Sequence, residues 1–413
     1  MNHSSLLLLS LSTGLVTLAI GADLPGTQHR VKVEDLPRPY ASESVKNRPE
    51  VVKPPAGATL QVPAGFEVSQ YARGFKNPRH LATAPNSDIL VTESEPGEIR
   101  VLRDTDGDGK PDLNEVLVYG LKKPFGVAFH PLGPNPEHLY VANTDGIVRF
   151  PYSPGQLKIT APPQKVTDLS GDGQLEGGGH WTRDIVFSAD GQQLFASVGS
   201  KSNVDDAPVE NDRARIFVMQ PDGSKKRAFA TGIRNPVGIA IHPKTGDLWA
   251  SVNERDELGD DLVPDYITRV KDGGFYGWPW YYLGANPDPR RAKNPHPELA
   301  SQVIVPDVLL EAHSASLNMV FYTGTQFPEA YRGDAFAALH GSWNRQAPTG
   351  YKVIRVRLEN GQPRGGYEDF LTGFVLPNGK VWGRPVGLTV AGDGALLVSE
   401  DGNDTIWRVS ARR

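Results

Sequence analysis

The feature that most constrains this 413-residue chain is a phrase that recurs six times. It reads as a polar or cationic residue, often Pro, often Gly, two or three apolar residues, a turn, then an alternating strand-like run. The copies begin at Asn77 (NPRHLA, then DILVTES), Lys123 (KPFGVAFH, then HLYVANT) and His180 (HWTRDIVF, then QLFASVG). They continue at Asn235 (NPVGIAIH, then DLWASVN), in a degraded form from Ser314 (LNMVF, then AFAALHG), and at Arg384 (RPVGLTV, then ALLVSED). Further runs of period-two alternation lie between copies, such as EIRVL from Glu98, GIVRF from Gly146 and TIWRV from Thr405. Each unit thus holds several short strands, the content of one propeller blade. The pattern predicts an all-β fold, a six-bladed β-propeller of four-stranded antiparallel blades. A β-sandwich, or two in tandem, would account for the strands but not for six copies of one phrase.

The copies start about 46 to 80 residues apart, above the ~40–50 of compact blades. Loops are therefore inserted, the longest between the fourth and fifth copies. The early run GFEVSQY from Gly65 is predicted to complete the last blade and close the ring, because closure hides the sheet edges. High Gly (44) and Pro (35) with a modest apolar fraction of 38% suit many short strands joined by tight turns.

Ahead of the repeats, residues 6–20 (LLLLSLSTGLVTLAI) form an apolar run of signal-peptide length, followed by the small residues Gly21 and Ala22. The expected organisation is a signal peptide over 1–22, an extended Pro-rich leader over 23–58 without secondary structure of its own, and the propeller over 59–413. Export to the periplasm or the exterior follows from that reading. The formal net charge of −5 argues against a nucleic-acid partner. The absence of cysteine excludes disulfides, thiolate metal sites, iron–sulfur clusters and a c-type haem.

In a propeller the start of each inner strand faces a common funnel. Those positions hold His180, Arg234, Asn235, His313 or Ser314, and Arg384. Arginines and a histidine around one cavity suit an anionic ligand beside a proton acceptor. Whether Asp184 reaches that ring is left open by strand alternation.

Three segments, GHWTRDIVFSADG from Gly179, GIRNPVGIAIHP from Gly232 and GFYGWP from Gly274, resemble the blade motifs of the glucose/sorbosone dehydrogenase family. That family includes soluble quinoprotein glucose dehydrogenases and fungal pyranose dehydrogenase domains. The resemblance covers roughly residues 65 to 410. It implies a six-bladed propeller and oxidation of a sugar, polyol or aldehyde with pyrroloquinoline quinone (PQQ), electrons passing to an external acceptor such as a cytochrome or quinone. By resemblance, His180 is the general base, Arg234 lies near the reactive carbonyls, and Asn235 and Arg384 contact the cofactor. After His340 (HGSWNR) the family often has a Lys, for which Asn344 or Arg345 stands in here. Family members acting on glucose have acids where this chain has Gly179 and Ser200, so their sugar specificity does not carry over.

The family also implies a catalytic calcium ion held by the loop after the fourth unit's inner strands. Here that loop is ERDELGDD from Glu254. Asp256 and Glu257 align best, with Asp260, Asp261 and Asp265 as alternatives, and oxygen-rich loops of this kind suit a hard cation. A second, structural calcium is predicted from spacing alone. Asp104, Asp106, Asp108, the carbonyl of Lys110, Asp112 and Glu115 fill the ligand places of a twelve-residue calcium loop, with Gly109 at the turn. Strand-like runs flank it in place of helices, so it is expected to join two blade strands. Two other functions are compatible with such a propeller: a non-catalytic ligand-binding propeller, and a metal-dependent, lactonase-like hydrolase. The hydrolase needs carboxylates converging on the channel, whereas the lining predicted here is rich in Arg and His.

Overall fold

The computed structural model describes residues 23–171 and 180–412. The expected signal segment and Gly179 lie outside the described residues. Six antiparallel sheets are arranged radially, one for each copy of the phrase. Their inner strands are Pro78–Thr83, Val127–His130, Ile185–Phe187, Asn235–Ile241, Ser316–Phe321 and Pro385–Val390. Each packs against the next, and the sixth returns to the first. The strand Phe66–Arg73 pairs with Thr405–Ala411 from the other end of the chain, Phe66 opposite Ala411 and Arg73 opposite Thr405. This completes the sixth blade and closes the ring as the sequence predicts.

Two blades exceed four strands. Gly274–Phe275, from the long insert, adds in parallel to the edge of the third blade. Gln28–His29 of the leader adds to the edge of the fifth, Gln28 opposite Glu368. The leader thus carries a short strand, and a 3₁₀ turn at Val33–Asp35, where none was expected. Farther on it is tied to the propeller by bridges from Val31 to Leu309 and from Val51 to Val381.

The physical sense of the repeated phrase is visible in the inner strands. Its Pro lies where the ladder slips register, between Pro78 and Leu81, Pro236 and Gly238, and Pro385 and Leu388. A residue with no N–H sits at a bulge, which re-aims the strand start into the funnel. Its Gly lets inner strands touch. A Cβ on Gly238 would lie 2.6 Å from the Leu317 carbonyl oxygen, and one on Gly387 2.1 Å from that of Arg79. Second strands such as Leu194–Val198 and Leu396–Glu400 are buried at every residue because a blade covers each face. Apolar clusters fill each blade-to-blade contact, and Phe125, Val237, Leu317 and Val386 form a plug on the axis. The funnel therefore has an apolar floor. None of the described helices is long and apolar enough to cross a membrane.

Candidate active site

Above that floor, His180 precedes the third blade's inner strand, and its backbone N–H donates to the Ser200 carbonyl at 3.2 Å. Its Nδ1 lies 2.9 Å from the same carbonyl oxygen. A carbonyl only accepts, so Nδ1 carries the proton and Nε2 holds the lone pair. Two buried guanidinium groups fix the backbone behind the ring: Arg183 Nη1 and Arg213 Nη2 donate to the His180 carbonyl at 2.8 and 2.9 Å. Protein surrounds most of the imidazole. Burial, reinforced by the Arg234 charge, pushes it down to about 3, so it is neutral at any ordinary pH.

Arg234 is buried beside it. Its Nη1 donates to the Glu254 carbonyl at 2.5 Å, its Nε and Nη2 reach Asn203 at 3.2 and 3.0 Å, and Asp256 lies at 3.5 Å. Asn235 follows, with a buried Oδ1 that has no partner among the described residues. Gly199 makes the adjacency possible, since a Cβ there would fall 2.2 Å from Asn235 Oδ1 and 2.6 Å from His180 Cβ.

Asp256 links this side to the fifth blade. Its Oδ1 accepts from Asn344 Nδ2 at 2.8 Å and lies 3.4 Å from His313 Nδ1. Burial alone would raise the Asp256 carboxyl, but His313 and Arg234 outweigh it and hold it below the usual range. Burial likewise opposes a proton on His313, yet Asp256 wins and raises that imidazole. Asn344 Oδ1 is the second buried oxygen here with no partner.

Of the two stand-ins for the family's Lys, Asn344 reaches the funnel. Arg345 turns to the rim, where its Nη2 donates to Asp261 at 2.6 Å. Ser314 is spent on the Glu311 carbonyl at 2.7 Å. Arg384 donates to the His340 and Gly341 carbonyls at 3.2 and 3.4 Å and has no carboxylate ion pair among the described residues. Asp184 does not enter the funnel. It accepts the Ile185 and Ile239 N–H groups, each at 2.9 Å, and staples the third blade to the fourth. Burial pushes its carboxyl up to about 7.

The two calcium readings fare differently. Asp256 is bonded to Asn344 and paired with Arg234, whereas Glu257 is 64% exposed, with Oε2 3.4 Å from Asn203 Nδ2 and 3.9 Å from Arg290. Among the alternatives, Asp261 pairs with Arg345, Asp260 accepts from the Gln346 N–H at 3.1 Å, and Asp265 accepts the N–H groups of Glu254 and Ser316. In the other loop, Asp104, Asp106 and Asp108 present oxygens within 4.8 Å of one another. Asp112 instead accepts from the Thr105 N–H at 2.7 Å, the Lys110 N–H donates to Asp108, and Glu115 sits within the strand Leu113–Tyr119.

Several site residues escaped the sequence. Asn203 orients both Arg234 and Asp256, its Oδ1 accepting the Asp256 N–H at 2.9 Å. It lies in a loop outside the repeated phrase, and no spacing marks it. Across the funnel, His340 Nε2–H donates to Asp401 at 2.7 Å, and Asp401 also pairs with Arg79. Their positions, at two second-strand ends and one phrase start, could have been read from the repeat.

Fold and site together define a closed six-bladed propeller whose funnel is lined by buried arginines and a neutral histidine. The chain belongs to the TrAA12-like family, whose profile matches residues 60–266 and 292–412. It is 27% identical over 365 residues to an uncharacterised protein of Borreliella burgdorferi, covering 85% of this chain and 91% of that one. It is 25% identical over 409 residues to the pyrroloquinoline quinone-dependent pyranose dehydrogenase of Coprinopsis cinerea, covering 84% of this chain and 54% of that one. The match therefore spans about half the length of that fungal relative. The holo PQQ domain of the Coprinopsis cinerea pyranose dehydrogenase superposes with a TM-score of 0.71 at 22% identity, covering 88% of this chain and 100% of that one. The apo soluble aldose sugar dehydrogenase of Escherichia coli superposes at 0.61 and 21% identity, covering 84% and 100%. The sequence-based expectation of family and fold is thereby met.

Proposed function

We propose that this protein is a PQQ-dependent dehydrogenase that oxidises a sugar, polyol or aldehyde and hands the electrons to an external acceptor, a cytochrome or quinone. The observation that carries the reading is the fixed tautomer of His180, whose ring feels the Arg234 charge and whose Cβ lies across Gly199 from the Asn235 amide oxygen. The funnel fits such a ligand chemically. Arg234 and Arg384 suit carboxylates, and the two orphaned amide oxygens ask for a donor or a cation. Bound there, the quinone would supply the hydride acceptor.

The chain's own residues do the rest. His180 Nε2 takes the proton of the substrate hydroxyl, and the Ser200 carbonyl keeps the ring in the tautomer that can do so. Arg183 and Arg213 hold the backbone that carries it. Arg234, Asn235, Asn344 and Arg384 hold and orient the ligand. A calcium ion beside it would find Asp256 and the orphaned oxygens of Asn235 and Asn344 as hard donors. A second, structural calcium belongs to Asp104, Asp106 and Asp108. The apolar run at residues 6–20 supports export.

Titration of metal-stripped protein with PQQ plus calcium, followed by the cofactor's absorbance, tests the reading. Saturable binding, then reduction of a redox dye with a sugar and aldehyde panel, is the expected outcome. No binding at micromolar cofactor would leave a non-catalytic binding propeller as the better reading.

A further inference from the structure

The leader residues before position 60 lie outside the family match, yet they are fastened to the rim of the funnel. The Tyr40 N–H donates to the Leu258 carbonyl at 2.8 Å, and Ser42 Oγ accepts from the Asp260 N–H at 2.8 Å. The Asn47 N–H donates to the Trp343 carbonyl at 2.8 Å, while its side chain donates to the carbonyls of Arg345 and Gln346 at 3.1 and 3.0 Å. Beyond it, Glu50 and Val52 exchange backbone bonds with Val381 at 3.0 and 2.8 Å. Arg48 sits between these two pinned points. Ordering this segment costs about 1–2 kcal/mol per residue in backbone entropy, and residues 46–51 bury almost nothing in return.

What the pinning does achieve is a cavity. Arg48, Pro49 and Val51 of the leader, with Trp343 and Arg384 of the propeller, line an open pocket of about 430 Å³. A smaller cavity of about 260 Å³ shares the Trp343 wall and reaches Asn344. The Arg48 side chain has no hydrogen bond or ion pair among the described residues. Arg384 has no ion pair, and the nearby Asp401 carboxylate already serves Arg79 and His340. Both guanidinium groups line the same open pocket, so an anion seated there is attracted by two cations. The indole of Trp343, with Pro49 and Val51, offers flat apolar walls.

We propose that Arg48 is a ligand-binding residue, forming with Arg384 and Trp343 a site for a carboxylate on a flat ring, so that the leader is a working wall of the funnel. The pocket itself stands apart from the quinone reading, and only the identity of its natural occupant rests on it. That occupant's carboxylate belongs either to the cofactor or to an acidic sugar.

The test compares the full-length protein with Arg48→Gln, Arg48→Lys and, as a charge control from the same leader, Lys53→Gln. Binding of PQQ with calcium is followed by absorbance, and binding of benzene-1,2,4-tricarboxylate by calorimetry. KM is measured for galactose and galacturonate. Arg48→Gln should weaken a carboxylate ligand about 10- to 100-fold with unchanged Tm. Arg48→Lys should recover part of the loss, and Lys53→Gln should change nothing. A loss confined to the galacturonate KM assigns the carboxylate to the substrate, and a loss in PQQ affinity assigns it to the cofactor. Arg48-dependent binding of the tricarboxylate without any PQQ binding keeps this site and sinks the quinone reading. Equal affinities in wild type and Arg48→Gln, or no carboxylate binding by wild type, overturn the proposal.

Discussion

Two of the funnel's histidines, His180 and His340, stand in contrasting settings on opposite sides. His180 gives its Nδ1–H to a backbone carbonyl, and its Nε2 has no partner among the described residues. His340 gives its Nε2–H to the Asp401 carboxylate, which Arg79 also grips. Burial pushes both imidazoles down, to about 3 beside Arg234 and to about 4 beside Arg384. Burial opposes the Asp401 charge, but His340 and Arg79 prevail and hold that carboxyl well below the usual range. One histidine is thus poised to accept a proton, and the other is committed to a charge network that fixes a wall. The difference lies in what each ring nitrogen touches, not in residue type or burial.

The strongest way to break this comparison is to exchange the two for neutral amides. His180→Gln should lower kcat/KM for the oxidised substrate by about 10²- to 10⁴-fold, the range of one general base, with PQQ affinity little changed. His340→Gln should instead weaken binding and lower Tm, with kcat falling less than tenfold. Comparable losses of kcat in both variants would erase the distinction.

Next in size is the charge network. Asp401→Asn leaves Arg79 and His340 without their buried anion and should cost about 3–5 kcal/mol near pH 7. The sign follows from the depressed carboxyl. Its contribution is full above the unfolded value near 4 and is lost as pH falls through the lower folded value. The Tm difference between Asp401→Asn and wild type should therefore shrink in acid, which thermal melts from pH 7 down to 3 would detect.

A subtler probe sharpens the His180 side. Because burial holds that imidazole down to about 3, the base should add no acid limb to the kcat/KM profile between pH 5 and 7. Ser200→Asp places a carboxylate beside Nδ1, stabilises the imidazolium and should bring an acid limb into that window. The smallest effect is remote from the funnel. Asp104→Ala with Asp106→Ala should remove a calcium-dependent rise in Tm of a few degrees, and an unchanged calcium response would remove the structural calcium.

The legibility of this protein follows the repeat. Bulge-forming prolines and close-contact glycines recur because each blade meets the same geometric demand, so blade count, ring closure and the ring residues His180, Arg234, Asn235 and Arg384 could be read from the chain. Whatever depends on loop conformation was not legible. Asn344 and Arg345 are neighbours, yet one reaches Asp256 and the other Asp261. Asp256 and Glu257 are likewise adjacent, yet one is 22% and the other 64% exposed. Asn203 and Arg48 lie outside the phrase, and tertiary bonds place them where no periodicity points.

The most direct test of the central claim is a single-turnover measurement on protein preloaded with PQQ and calcium, comparing wild type with His180→Ala. An aldose is added, and the cofactor's absorbance is followed without external acceptor. The account predicts equal cofactor loading in both proteins, rapid reduction in wild type, and reduction at least 100-fold slower in the variant. Equal rates of reduction would contradict His180 as the base.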